Sequence, residues 1–425
     1  MARKGYGPLG SPSGGAGRRE LGSHDGPYRR QALYIAQIRI FECLIPAVRE
    51  RHKGSNPALT GMQAISELQA GKAENGPMRN RDVIRAAGLL LGAIATFSTG
   101  AQSTLAPGLA SPPEYRVVHD WPVLPEGEVL GSVAGIGVDS RGEVFVFHRA
   151  GRTWPKSDVL DLTPIPRPTV DIFDGHSGIL LRRWGADLFA MPHGLTVDDH
   201  DNVWLTDVAL QQVYKFSPDG RLLLTLGERG VAGADARHFN RPTAVAVAGD
   251  GSFYVSDGYK NTRVMKFSAD GKFLFQWGTK GAGPGQFDLP HWVALDASGN
   301  VYVADRENQR IQVFDSAGHY LSQWAGKQLG RPYAIAIDKR GTAYIADGGD
   351  QPDGPPDRSA WVLARLDGTP LVRVGRFGNY DGQFEMAHSI AVDGKGAVYV
   401  GDITGARVQK FVLSGAAAGR AGPAP

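Results

Sequence analysis

One pattern recurs six times between Val133 and Phe411, and it leaves few folds open. An apolar stretch ends in Asp, a Gly-containing turn follows, and a second stretch of the Val-Tyr-Val kind ends in Asp in most copies. A third stretch, usually ending in Phe, comes next. The copies open VAGIGVDSRGEVFVFHR, PHGLTVDDHDNVWLTD, PTAVAVAGDGSFYVSD, PHWVALDASGNVYVAD, PYAIAIDKRGTAYIAD and AHSIAVDGKGAVYVGD. They stand roughly 40–60 residues apart, the period of propeller blades. A fourth stretch is visible as GKFLFQWG and GHYLSQWAG. Alternating apolar and polar residues predict strands whose sheets need neighbours on their faces. Radial stacking covers those faces and leaves only short edges. The expected fold is therefore all-β, a six-bladed β-propeller over residues 112–415. A sandwich also uses short strands, but it gives no such registered repetition.

The chain ahead of the repeats reads differently. Met78 is followed by Arg79, Arg81 and Arg85, then by the apolar run Ala86 to Phe97 and the small residues Ser98 to Ala101. Residues 78–103 thus read as a secretory signal, cut near Ala101 to Ser103, and the product is expected to be secreted or periplasmic. The run is short for a membrane span, so stable insertion is not expected, although an uncleaved anchor is the alternative. Residues 1–77, with a helical stretch over Ala32 to Arg51, have no place before a signal. Met78 is read as the natural start, and 1–77 as a misassigned or disordered extension; a genuine extension is the alternative. The single cysteine, Cys43, lies in that part. The propeller then has no disulfide and no thiolate, and a transition metal would need histidine, carboxylate or backbone oxygen. A net charge of +3 offers no general field for nucleic acid, and a monomer is expected.

Histidine supplies the strongest chemical signal. The six copies align on the Asp that ends the first strand, or Ala248 in the third copy. Five residues upstream stand Ala134, His193, Thr243, His291, Tyr333 and His388. The inner strand of each blade lines the central channel, and alternate blades are related by a pseudo-threefold axis. His193, His291 and His388 should therefore converge on one point and form an open metal site, with zinc as the best candidate. Three residues follow the second strand of their copies and so belong to one end of the channel: Arg149, Tyr259 and Arg306. A tyrosine beside a metal can serve as a base, and paired arginines can clamp a carboxylate.

The stretches FHR with Trp154, MPHGLTVD, WLTDVALQQVYKF, GQFDLPH, VADRENQRIQ and MAHSIAVD resemble the catalytic core of the peptidyl-α-hydroxyglycine α-amidating lyase family, a propeller of NHL repeats. The resemblance is colinear from about Val133 to Phe411. It implies a carbon–nitrogen lyase that splits a peptidyl-α-hydroxyglycine into a peptide amide and glyoxylate. It implies zinc on His193, His291 and His388, Tyr259 as the catalytic tyrosine, Arg149 and Arg306 as active-site arginines, and Met386 close to the site. It also implies calcium held by the backbone carbonyls of Ile136 and Leu195 and by an Asp directly after the third histidine. That residue is Ser389 here, which puts calcium in doubt. Asn240, Lys260, Tyr302 and Val313 stand where the animal enzymes carry disulfide cysteines, and no copper-binding monooxygenase module is visible. Two other readings stay open: a metallo-lyase or hydrolase acting on another small substrate, and a non-enzymatic binding propeller.

Overall fold

The computed structural model describes residues 113–350 and 359–414. The expected signal, the extension before it and Cys43 lie outside the described residues, as does most of the Asp- and Pro-rich segment Gly348–Arg358.

The six repeats are six four-stranded antiparallel sheets. Their inner strands are Val133–Val138, Pro192–Val197, Pro242–Val247, Pro290–Leu295, Pro332–Ile337 and Ala387–Val392, and each packs on the next around a closed ring. Five blades use four consecutive strands. The sixth takes its outermost strand from the start of the domain, where Tyr115–Val118 pairs antiparallel with Arg407–Leu413. The ring is thus tied shut by joining its two ends, so no inner edge is left open. Tyr115 adds an edge-to-face contact with Trp361 of blade five at 4.9 Å.

Burial differs from simple alternation. Inner and second strands are buried along nearly their whole length, as in Val203–Asp207 and Val301–Asp305. Both faces of these strands are covered by adjoining blades, so apolar residues are needed on each side. Alternation survives only in outer strands such as Phe273–Trp277.

Two kinds of Asp hold the repeat together. The first ends the inner strand: Asp139 Oδ1 accepts the amides of Arg141 and Glu143, and Gly142 takes a φ of 83° at the tight corner. The second ends the second strand in blades two to six. Asp207, Asp257, Asp305, Asp347 and Asp402 are fully buried. Each accepts a backbone amide from the loop that enters its own inner strand, such as Met191, Asn240, Asp288, Arg331 and Met386. In blade one this position is His148, whose Nδ1 accepts the amide of Ala150 instead. These staples pin the loops at one end of the channel.

Candidate metal centre

Every inner strand has the same irregularity at its second residue. Pairing skips Ala134, Thr243, His291, Tyr333 and His388, and in blade two it passes from Pro192 to Leu195 around His193. Each blade thus carries a β-bulge at the register picked out by the repeat, and a bulge re-aims the side chain of its extra residue. Here it aims His193, His291 and His388 toward one another and leaves the carbonyls of Ala134, Thr243 and Tyr333 to accept from side chains.

The three histidines use those carbonyls in rotation. His193 Nδ1 donates to Thr243 O at 2.7 Å, His291 Nδ1 to Tyr333 O at 2.6 Å, and His388 Nδ1 to Ala134 O at 2.9 Å. Each bond runs from a histidine blade to the bulge of the next blade. The proton is held on Nδ1 in all three rings, which leaves three Nε2 lone pairs as ligands. The ring centroids form a near-regular triangle with sides of 4.8, 4.9 and 4.9 Å. One nitrogen from each ring lies within 4.8 Å of the others, and all three residues are buried.

The surroundings keep these imidazoles neutral. Burial, and then the Arg149 charge, hold His193 down to about 3. Burial followed by His193 holds His291 and His388 well below the usual histidine range. Three buried lone pairs converging on one point, with their opposite nitrogens already engaged, suit a divalent cation with an open fourth position. The donor set fits such an ion.

Tyr259 lies against two corners of this triangle, the rings of His193 and His291. Its hydroxyl donates toward His193 Nε2 at 3.0 Å and is 3.2 Å from His291 Nε2. Gly258 permits that approach, because a Cβ there would collide with the Pro290 carbonyl of blade four. Arg149 is buried; its Nε donates to Pro192 O at 3.1 Å, while its Nη2 has no protein partner. Arg306 gives Nε and Nη2 to Glu307 Oε1, at 3.1 and 2.8 Å, and lies over the rings of Tyr333 and Tyr259. Arg149, Tyr259 and Arg306 share a cleft of about 360 Å³ with His388, Trp154, Tyr333 and Met386. The structure thus brings together all the residues expected at the channel mouth.

Ile136 and Leu195 lie two residues beyond the bulges of blades one and two, with buried side chains. Ser389 is buried as well, and its hydroxyl has no hydrogen-bond partner. A neutral hydroxyl and two carbonyls bring a hard dication no charge, so this set does not fit calcium.

Several contributors escaped the sequence reading. Tyr333 occupies the marked register, but its hydroxyl's bond to Asp350 Oδ2 at 2.6 Å had no signal. Glu307, which also pairs with Arg331, reads in sequence as an ordinary surface acid. The carbonyls of Ala134, Thr243 and Tyr333 leave no trace at all, because any residue type supplies one.

Comparison with known proteins adds an independent line. The NHL repeat model matches residues 287–314, within blade four. Peptidyl-alpha-hydroxyglycine alpha-amidating lyase 2 of Drosophila melanogaster is 34% identical over 331 residues, covering 72% of this chain and 77% of the fly protein. Peptidyl-glycine alpha-amidating monooxygenase B of Xenopus laevis is 35% identical over 309 residues, 69% of this chain. The chain spans only 35% of that relative's length. NHL repeat-containing protein 3 of Homo sapiens is 31% identical over 324 residues, covering 70% of this chain and 84% of the human protein.

Proposed function

Because the chain belongs to the peptidyl-α-hydroxyglycine α-amidating lyase family, we propose that it cleaves the C–N bond of an α-hydroxyglycine to release an amide and glyoxylate, with zinc on His193, His291 and His388. The observation that carries this reading is the set of three converging imidazoles, two of them with Nε2 within 3.2 Å of the Tyr259 hydroxyl, beside a cleft with a buried and partly unpaired arginine.

A zinc ion there would supply Lewis acidity, making the substrate hydroxyl easier to deprotonate. The protein's own groups do the rest. Arg149 Nη2, desolvated and without a partner, offers its donors to the substrate carboxylate, and Arg306 offers those that Glu307 leaves free. Tyr259, acting as phenolate, takes the hydroxyl proton and returns it to the departing amide nitrogen. The oxygen's electrons form the aldehyde of glyoxylate as the C–N bond breaks. Trp154, Met386 and Tyr333 wall the cleft and limit water around the reacting atoms.

The test is glyoxylate release from α-hydroxyhippurate by zinc-loaded protein. Turnover that disappears in His291→Ala supports the reading. Bound metal without turnover favours another small carboxylate substrate. Absence of both metal and turnover leaves a binding propeller. The Arg-rich and apolar run after Met78 further supports export of the enzyme; an N-terminus mapped near Ala101 to Ser103 in secreted material tests that.

A further inference from the structure

We infer that Asp158 is a positioning residue for Tyr259, acting through a strap that crosses from blade one to blade three. The inference rests on the proposed role of Tyr259.

The strap is the segment between Arg149 and Ile165, which leaves the second strand of blade one and runs over blade two. Its root is fixed by backbone and side-chain bonds: Ile165 N donates to Phe189 O at 2.7 Å, and Arg152 Nη1 to Ala190 O at 2.9 Å. Trp154 and Leu160 then pack on the buried apolar floor of Ala190, Met191 and Val208 to Leu210. The far end is fixed in blade three. Asp158 Oδ1 accepts Arg241 Nη1 at 2.5 Å, its backbone carbonyl accepts Arg241 Nη2 at 2.7 Å, and Oδ2 pairs with Lys260 Nζ at 2.6 Å.

Those two partners flank the catalytic tyrosine. Lys260 follows Tyr259 in sequence. Arg241 lies opposite it on the neighbouring segment, since the Tyr259 amide donates to Arg241 O at 3.5 Å. One carboxylate therefore grips both segments that carry Tyr259. Trp154 completes the clamp by lying against the Tyr259 ring at 5.1 Å, with the guanidiniums of Arg149 and Arg241 at 5.5 and 5.7 Å from its own ring centre. Tyr259 is thus held at its hydroxyl by His193 and His291 and at its ring by the Trp154 indole. The Arg241 side chain is 12% exposed, whereas Asp158 and Lys260 are each 45% exposed. The Lys260 arm is thus the more open to salt screening, and the Arg241 arm, largely covered at its arginine end, the less so.

The experiment compares Asp158→Asn and Asp158→Glu with the wild type, as zinc-loaded protein, by two readouts. With α-hydroxyhippurate, Asp158→Asn should lower kcat roughly 10- to 100-fold, the range a misplaced catalytic group produces, with a smaller change in KM. Asp158→Glu should restore most of it. By hydrogen exchange, which needs no activity, Asp158→Asn should speed exchange at residues 151–165 and 258–262 and leave the inner strand Pro242–Val247 unchanged. Unaltered exchange in both segments overturns the inference whatever the activity. Faster exchange with unchanged kcat also overturns it, since the strap would then hold only itself. An inactive wild type with latch-dependent exchange would instead count against the lyase reading and leave the coupling of strap to turn standing.

Discussion

A single methyl group placed beside the metal triangle tests whether the bulge-to-carbonyl bonds hold the centre. Gly194 follows His193 in the bulge of blade two. A Cβ there would land on the Thr243 carbonyl oxygen, 2.9 Å from Ala244 Cα and 3.1 Å from Thr206 Oγ1. The first two contacts are to backbone, which cannot rotate away, so blade two must shift against blade three. Thr243 O is the acceptor for His193 Nδ1 at 2.7 Å and for Thr206 Oγ1 at 3.0 Å. Gly194→Ala should cost about 1–3 kcal/mol from overpacking. Loss of the support behind a metal-ligating histidine should weaken metal affinity roughly 10- to 100-fold. Zinc competition against a chromophoric chelator, with thermal unfolding of the metal-free protein, measures both. Gly394→Ala is the control, since a Cβ there meets nothing within 4 Å and its backbone is not left-handed. Wild-type affinity together with wild-type stability in Gly194→Ala would refute the reasoning.

Other outcomes follow from the same geometry. Tyr259→Phe keeps the ring stack on Trp154 and removes only the hydroxyl, so turnover should fall by roughly 10²–10⁴-fold, the range for a lost general base, while zinc stoichiometry is unchanged. Arg149→Met should raise KM for a carboxylate substrate but not for its methyl ester, as steady-state kinetics with both would report. Asp305→Ala strips acceptors from Asp288 N, Asn308 Nδ2 and Arg310 Nε, leaving a buried guanidinium uncompensated; unfolding in urea should show a loss of about 3–5 kcal/mol. His193, held at about 3 by burial and then by Arg149, stays neutral in the folded metal-free protein, while the unfolded chain takes up a proton below about 6.5. Stability should thus be full above that pH and decline as pH falls toward 3, with a shallower slope in His193→Gln.

Much of this was legible because repetition supplies an internal alignment. Registering the copies on Asp139, Asp198, Asp296, Asp338 and Asp393 placed His193, His291 and His388 at one level, and the folded chain brings their rings within 4.9 Å. Arg149, Tyr259 and Arg306 were read from their place after the second strand, and that turn does face the cleft. What the sequence hid has physical reasons. The bulge at each axial residue has no preferred side chain: Ala134, Thr243 and Tyr333 adopt it as readily as histidine. Ring closure by Tyr115–Val118 pairs residues almost a full domain apart, and a four-residue strand carries too little pattern to announce itself. The Asp158 latch joins loop residues from two blades, where no periodicity applies.

The central claim is that three imidazoles from alternate blades hold one cation. Elemental analysis of the purified protein, after dialysis against metal-free buffer, tests it most directly. Close to one divalent metal ion per chain, proposed to be zinc, should be found, falling to near zero in His291→Ala while the propeller stays folded. A wild-type protein that retains no metal, and takes up none when zinc is supplied in excess, would contradict it.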